Sequence, residues 1–105
     1  MMTDEELLRA YVEGRSEAAF AELVGRHVDL VYSTALRTAG EPGLAQDVAQ
    51  AVFLQLARKA GSIRKASALP GWLYRVARDQ AANAVRTEHR RRHREQEAVN
   101  LHFRT

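Results

Sequence analysis

Cysteine is absent from the 105 residues, which removes disulfides, thiolate chemistry and cysteine-ligated zinc together. No apolar run approaches the roughly 20 residues that cross a bilayer. The opening residues, MMTDEELL, are acidic where a secretory leader would be basic and then apolar. A cytoplasmic protein without membrane insertion is expected. No segment alternates with the period of two that marks a half-buried strand, and no repeat or low-complexity stretch occurs. A glycine-rich phosphate loop is missing, and no serine or carboxylate pair is placed for nucleophilic or acid–base work. His89 and His93 stand at i, i+4, but three arginines fill the interval and the glutamate of a zinc-protease helix is lacking. The chain is therefore not expected to be an enzyme, and neither a cofactor nor a metal is expected.

What is present is helix periodicity and a lopsided charge. The length suits one domain and not two with separate cores. Residues 1–50 carry 4 Lys/Arg against 9 Asp/Glu, a net −5; residues 51–105 carry 12 against 4, a net +8. Two unlike faces follow from that asymmetry. The basic half suits a phosphate backbone, where each neutralised phosphate releases counterions. A membrane surface fits less well, because the basic end lacks the aromatic and leucine face of an interfacial helix.

Taken in order, Thr3 and Glu6 have the spacing of a capping box, and a short helix follows with Leu7, Leu8, Tyr11 and Val12 inward and Gly14 as its stop. Ser16 is the expected N-cap of a second helix over 17–39, whose apolar residues from Ala19 to Ala35 repeat with a helical period. His27 lies on that stripe and reads as a satisfied core or border histidine, since no second ligand is spaced to join it. Gly40 and Pro42 separate it from a third helix over 42–60. Leu44, Ala45, Val48, Ala49, Val52, Phe53 and Leu56 form the inner stripe there, while Asp47, Gln50, Leu54 and Arg58 gather opposite. A leucine ringed by an acid, an amide and a base reads either as a binding hot spot or as an ordinary exposed leucine.

Gly61 is expected to close the third helix, and a basic loop over 61–68 follows, long for a helix–helix connection. Ser62, Arg64 and Lys65 offer hydroxyl and charge together; the alternative is a solvated connector with Ser67 as the next N-cap. The stretch over 69–97 then starts with an apolar stripe of Leu69, Trp72, Leu73, Val76, Ala77, Gln80 and Ala84. Arg75, Arg78, Ala82, Arg86 and His89 collect on the other side. Past Val85 the stripe ends, and Arg90, Arg91, Arg92 and Arg94 point all round. A helix buried at one end and cationic at the other either leaves the domain to meet a polyanion or is a solvated charge run. Residues 98–105 show no period and are expected to be a linker stub or disordered tail. The fold class expected is all-α, a single compact domain of about four helices over 1–97 with a long C-terminal basic helix.

The strings AFAELVGRHVDLVYSTALR, DVAQAVFLQLARK and GWLYRVARDQAANAVR, the last followed by its arginines, resemble region 2 of bacterial RNA polymerase sigma factors of the extracytoplasmic function group. The resemblance implies a transcription initiation domain that docks on the clamp helices of the polymerase β′ subunit. It also implies recognition and opening of the −10 promoter element, with capture of the non-template strand. Asp47, Gln50, Leu54 and Arg58 match the family's polymerase-binding face. Residues 61–68, with Ser62, Arg64 and Lys65, match a loop that holds a flipped-out base. Arg75, Arg78, Arg86, Arg90 and Arg91 match the face lying along the DNA backbone, where they position and do not specify. Trp72 matches an aromatic that helps unstack the duplex, although its place on the apolar stripe also suits a core role.

Two departures stand out. Many relatives have Asn where this chain has Asp79, and a carboxylate can accept from a cytosine amino group but repels phosphate. Sigma factors of the group also carry a second helical domain for the −35 element, and 98–105 is too short for one. Either the chain is a fragment ending in the interdomain linker or it is a reduced protein. An anti-sigma factor is compatible with the resemblance, and no residue pattern selects one. Two other classes stay open: a helical protein-interaction module using the acidic half, and a helix-turn-helix protein that reads intact duplex.

Overall fold

Thr3 opens the first helix with a reciprocal cap. In the computed structural model, which describes residues 1–63 and 65–104, its Oγ1 accepts from the Glu6 amide at 3.1 Å while Glu6 Oε1 accepts from the Thr3 amide at 3.4 Å. Helix α1 runs Asp4–Gly14. Its left-handed terminal residue is not the glycine but Arg15, with φ 53°. Gly14 is thus the last helical residue, and the Ser16 amide donates back to the Ala10 carbonyl at 3.2 Å.

Ser16 caps α2 (Glu17–Ala39) by accepting from the Ala19 amide at 3.1 Å, as its spacing predicts. Gly40 closes α2 at φ 73°, a conformation that suits a residue without Cβ. The carboxylate of Glu41 then accepts from the Gly43 and Leu44 amides at 2.7 and 2.9 Å, with Pro42 as the first residue of α3 (Pro42–Lys59). Those two bonds hold the Glu41 carboxyl below the usual carboxylate range.

The end of α3 departs from expectation. It stops at Lys59 and tightens into a 3₁₀ turn, Ala60–Ser62, so no left-handed glycine closes it at Gly61. Ser62 Oγ donates to the Lys59 carbonyl at 2.7 Å. A second 3₁₀ turn, Ala66–Ala68, feeds directly into α4 (Leu69–His102). Ser67 is therefore not the cap: Ala68 precedes the helix, already near helical angles, and makes no side-chain cap bond. The 34 residues of α4 extend about 51 Å at 1.5 Å per residue and account for most of the 66 Å long axis.

The core lies where α2, α3 and α4 meet. Leu23 and Val31, Val52 and Leu56, and Leu69 and Leu73 are fully buried. α1 covers one end with Leu7 and Leu8. Ala77 and Ala81 carry the core along α4, their small side chains letting α2 and α3 approach its backbone together. Ala81 is not on the predicted stripe; contact with two helices widens the buried face of α4 beyond one stripe. Val12, expected inward, is exposed on α1.

Polar contacts fix α1 in place. Asp4 Oδ1 accepts from Arg26 Nη1 at 3.2 Å, and Asp4 Oδ2 bonds His27 Nε2 at 2.7 Å. His27 is the satisfied border histidine that the sequence suggests. Toward the other end the Tyr11 hydroxyl donates to the Ala57 carbonyl at 3.2 Å, and its ring lies 4.8 Å from that of Phe20.

Of the two readings of 98–105, linker stub or disordered tail, the second is corrected by the helix itself, which continues to His102. The reason is local: Arg91 pairs with Glu95, His93 with Glu97 at 3.1 Å, and Gln96 donates to Asn100 at 3.1 Å, all at i, i+4 among good helix formers. Among the described residues there is no strand, and no helix is long and apolar enough to cross a membrane.

Candidate functional site

Three surfaces hold the residues singled out by the sequence. The first is the outer side of α3. Asp47, Gln50, Leu54 and Arg58 are all exposed there, opposite Val48, Val52 and Leu56. Spacings of three and four residues stack them along one side for about 16 Å of helix. Leu54 is 56% exposed, with an acid at one end of the row and a base at the other.

The second surface is the outer arc of α4. Arg75, Arg78, Asp79, Arg86 and Arg90 are exposed and share that arc by helical spacing. From Arg75 to Arg90 they cover about 22 Å of helix axis. Their own contacts are weak: Arg86 reaches Asn83 Oδ1 at 3.4 Å, Arg90 Nε reaches the Arg86 carbonyl at 3.4 Å, and the Arg78 guanidinium lies 5.8 Å from the Tyr74 ring centre. These cations stay available to an anionic ligand.

Arg91 behaves otherwise. By helical spacing it continues the line of Leu73, Ala77 and Ala84, past the point where α2 and α3 stop covering that line. It donates to Glu88 at 2.5 Å and pairs with Glu95, and Arg92 Nε donates to Glu88 at 3.2 Å. The hydrogen bond from Arg91 is the main cause that holds the Glu88 carboxyl below the usual carboxylate range, and the same bond pushes the Arg91 guanidinium further toward its charged form. The sequence made the late arginines alike; the structure divides them into an inner line paired with Glu88 and Glu95 and an outer arc whose arginines make no ion pair among the described residues.

The third surface is the 3₁₀-rich loop. Lys65 is exposed, and Ser62 uses its proton on the Lys59 carbonyl while keeping lone pairs to accept. Arg64, named with them from the sequence, lies outside the described residues. Trp72 is half-buried against the core. Asp79 sits ten residues into α4, about 15 Å along the axis from Leu69, and lines neither cleft beside the loop. Two contacts escaped sequence reasoning. Tyr74 is exposed beneath Arg78, an i, i+4 aromatic–cation pair that the spacing could have disclosed. Gln80 donates to Gln55 at 3.1 Å and ties α4 to α3, a pairing that no local signal encodes. No group of three or more His, Cys, Asp or Glu able to hold a metal occurs among the described residues.

The family model for Sigma-70 region 2 matches residues 23–92, from the first third of α2 to the paired arginines of α4. The ECF RNA polymerase sigma factor SigK of Mycobacterium sp. (strain KMS) is 36% identical over 87 residues, which cover 82% of this chain and 45% of that protein. SigK of Mycobacterium tuberculosis (strain ATCC 25618 / H37Rv) is 31% identical over 90 residues, covering 84% of this chain and 48% of its own. The chain thus spans about half the length of the curated relatives it matches. No solved structure matches it.

Proposed function

Because the chain belongs to the sigma-70 family as a region 2 domain of the extracytoplasmic function group, we propose that it acts in transcription initiation, binding RNA polymerase core and the −10 promoter element. The observation that carries this reading is the division of charge on α4. Arg91 and Arg92 pair with Glu88 and Glu95 within the helix, while Arg75, Arg78, Arg86 and Arg90, which share one arc with Asp79, make no ion pair among the described residues. That arc suits one track of phosphates.

In this reading the outer side of α3 docks on the β′ clamp helices, with Leu54 as anchor and Asp47, Gln50 and Arg58 giving register and charge complementarity. The α4 arginines and Lys65 neutralise the backbone of the non-template strand and hold it in place. Bases displaced from the duplex then meet the loop, where Ser62 offers hydrogen-bonding groups, and Asp79 accepts from an amino-bearing base edge. The labour is divided between the two elements, since the arginines attract and the loop discriminates. The site of action is the cytoplasm, where polymerase and promoter are.

The test is capture of core polymerase by the chain, followed by binding of the assembled complex to −10-like DNA in single-stranded and duplex form. Core capture with preference for the non-template single strand is the expected result. Equal or better binding to intact duplex would identify a helix-turn-helix reader instead. Core capture without salt-dependent DNA binding would leave only a protein-interaction module.

A further inference from the structure

The loop over 60–68 is held by few bonds of its own. The Ile63 amide donates to the Ala60 carbonyl at 3.2 Å, the Ala68 amide to the Lys65 carbonyl at 2.9 Å, and Ser62 Oγ to the Lys59 carbonyl at 2.7 Å, all within the loop or its first neighbour. Apart from the helices that they join, its two 3₁₀ turns lie against α1 alone among the described residues. α1 precedes residue 23, where the family match begins, so the element that covers the loop stands outside the matched region.

α1 is itself anchored at both ends. At its start Asp4 accepts from Arg26 at 3.2 Å and bonds His27 at 2.7 Å, and Leu7 is buried in the core. Near its end the Tyr11 hydroxyl donates at 3.2 Å to the carbonyl of Ala57, one of the last four of α3, which have no regular helical donor. The Tyr11 ring, 4.8 Å from that of Phe20, is kept in place by that contact. Between these anchors Leu8, which is buried, and Val12 share a cleft with Ala60, Ile63 and Ala66. Val12 also faces Gly61. A Cβ built on Gly61 would lie 3.8 Å from Val12 Cγ1, an ordinary contact, and the Gly61 backbone is not in the left-handed region.

We propose that α1 is a brace that sets the shape of this loop, with Tyr11 as a positioning residue, so that discrimination by the loop depends on a helix far from it in the chain. The inference rests on the reading that the loop discriminates bases while the α4 arginines attract the strand. A segment without a ladder of backbone bonds keeps one conformation only where its apolar side chains are seated on something fixed. A competent shape that is populated for part of the time weakens binding by that fraction. Loosening the brace therefore removes the advantage of the favoured base and leaves the phosphate contacts of the arginines as they were.

The experiment has two arms: amide hydrogen exchange of the chain, and binding of single-stranded −10-like oligonucleotides, varied one base at a time, to the chain assembled with core polymerase. Tyr11→Phe keeps the ring and loses the hydroxyl. It should speed exchange over the two turns by about two- to tenfold, the effect of one net hydrogen bond, with α2 and the buried half of α4 unchanged. Gly61→Ala should slow that exchange, because the new methyl meets Val12 and the open loop has less freedom to gain. Tyr11→Ala should loosen the turns further and bring a wild-type preference of about five- to tenfold at one position below about twofold. Affinity for the disfavoured oligonucleotides should stay within about twofold of wild type, whereas Arg86→Ala should weaken all of them alike and keep the preference. Turn exchange that neither Tyr11 variant changes, or a preference that Tyr11→Ala retains despite faster exchange, overturns the brace and leaves the reading of the loop standing. Exchange that rises throughout the chain in Tyr11→Phe, with a lower melting temperature, shows a general structural role and overturns it too. A wild-type complex without base preference overturns the reading of the loop, and the brace's part in it. If Tyr11→Ala fails to fold, the opposite signs expected of Tyr11→Phe and Gly61→Ala, in exchange and in preference, decide.

Discussion

Leu54 and Leu56 stand two residues apart on α3 and should answer truncation in opposite ways. Leu56 is 0% exposed and Leu54 is 56% exposed. Full burial of a leucine side chain contributes about 1.5–3 kcal/mol, so the covered part of Leu54 contributes about 1 kcal/mol or less to the fold. The better helix propensity of alanine offsets some of that. Leu54→Ala should then lower the melting temperature by less than about 8 °C, at about 4–8 °C per kcal/mol for a domain of this size. Leu56→Ala leaves a cavity in the core where α2, α3 and α4 meet and should cost about 2–5 kcal/mol, a drop of 10 °C or more or outright failure to fold. Binding should show the reverse. If Leu54 anchors the docking surface, its truncation should cost about 2 kcal/mol against the β′ clamp helices, close to a 30-fold loss of affinity. Asp47→Arg should mainly slow association and change its salt dependence. Melting by far-ultraviolet circular dichroism and interferometry on immobilised clamp-helix hairpin measure both quantities. Unchanged affinity in Leu54→Ala, with a normal melt, would refute the docking face. A large fall in melting temperature would instead place Leu54 in a packed role that its exposure denies.

The divided arginines give a second expectation: Arg78→Ala, Arg86→Ala and Arg90→Ala together should flatten the salt dependence of DNA binding by roughly one unit of slope per lost phosphate contact. Arg91→Ala alone should change that slope little, because its guanidinium is already bonded to Glu88 and Glu95; titration of binding against salt separates the two cases. Thr34 is 2% exposed and its Oγ1 has no partner among the described residues, so Thr34→Val should stabilise the fold by about 1 kcal/mol, read as a higher denaturant midpoint at unchanged slope. Glu41 has a folded-state carboxyl below its ordinary range, so its stabilisation is present above that range and is lost as pH falls through the folded value. The melting temperature of Glu41→Ala should accordingly lie below wild type near neutral pH and converge with it in acid.

Local chemistry wrote most of the helix boundaries into the sequence. The Thr3–Glu6 cap, the Ser16 cap, the Gly40 stop and the Pro42 start each depend on one side chain meeting backbone groups within a turn, and each forms. The outer side of α3 was legible for the same reason, since a helix with one apolar stripe has only one place left for Asp47, Gln50, Leu54 and Arg58. What the sequence could not decide is where coverage by other helices starts and stops. Ala81 is buried because α4 touches two helices at once, and Val12 is exposed because the loop leaves a gap beside Gly61. Neither fact has a local signature. The same limit applied to the arginines, which are one charge run in the sequence. In the fold, Arg91 continues a line that the core no longer covers and pairs with Glu88 and Glu95, while Arg78 and Arg86 face outward without an ion pair among the described residues. Periodicity sets where a side chain points; only the packing of distant segments sets what it meets there.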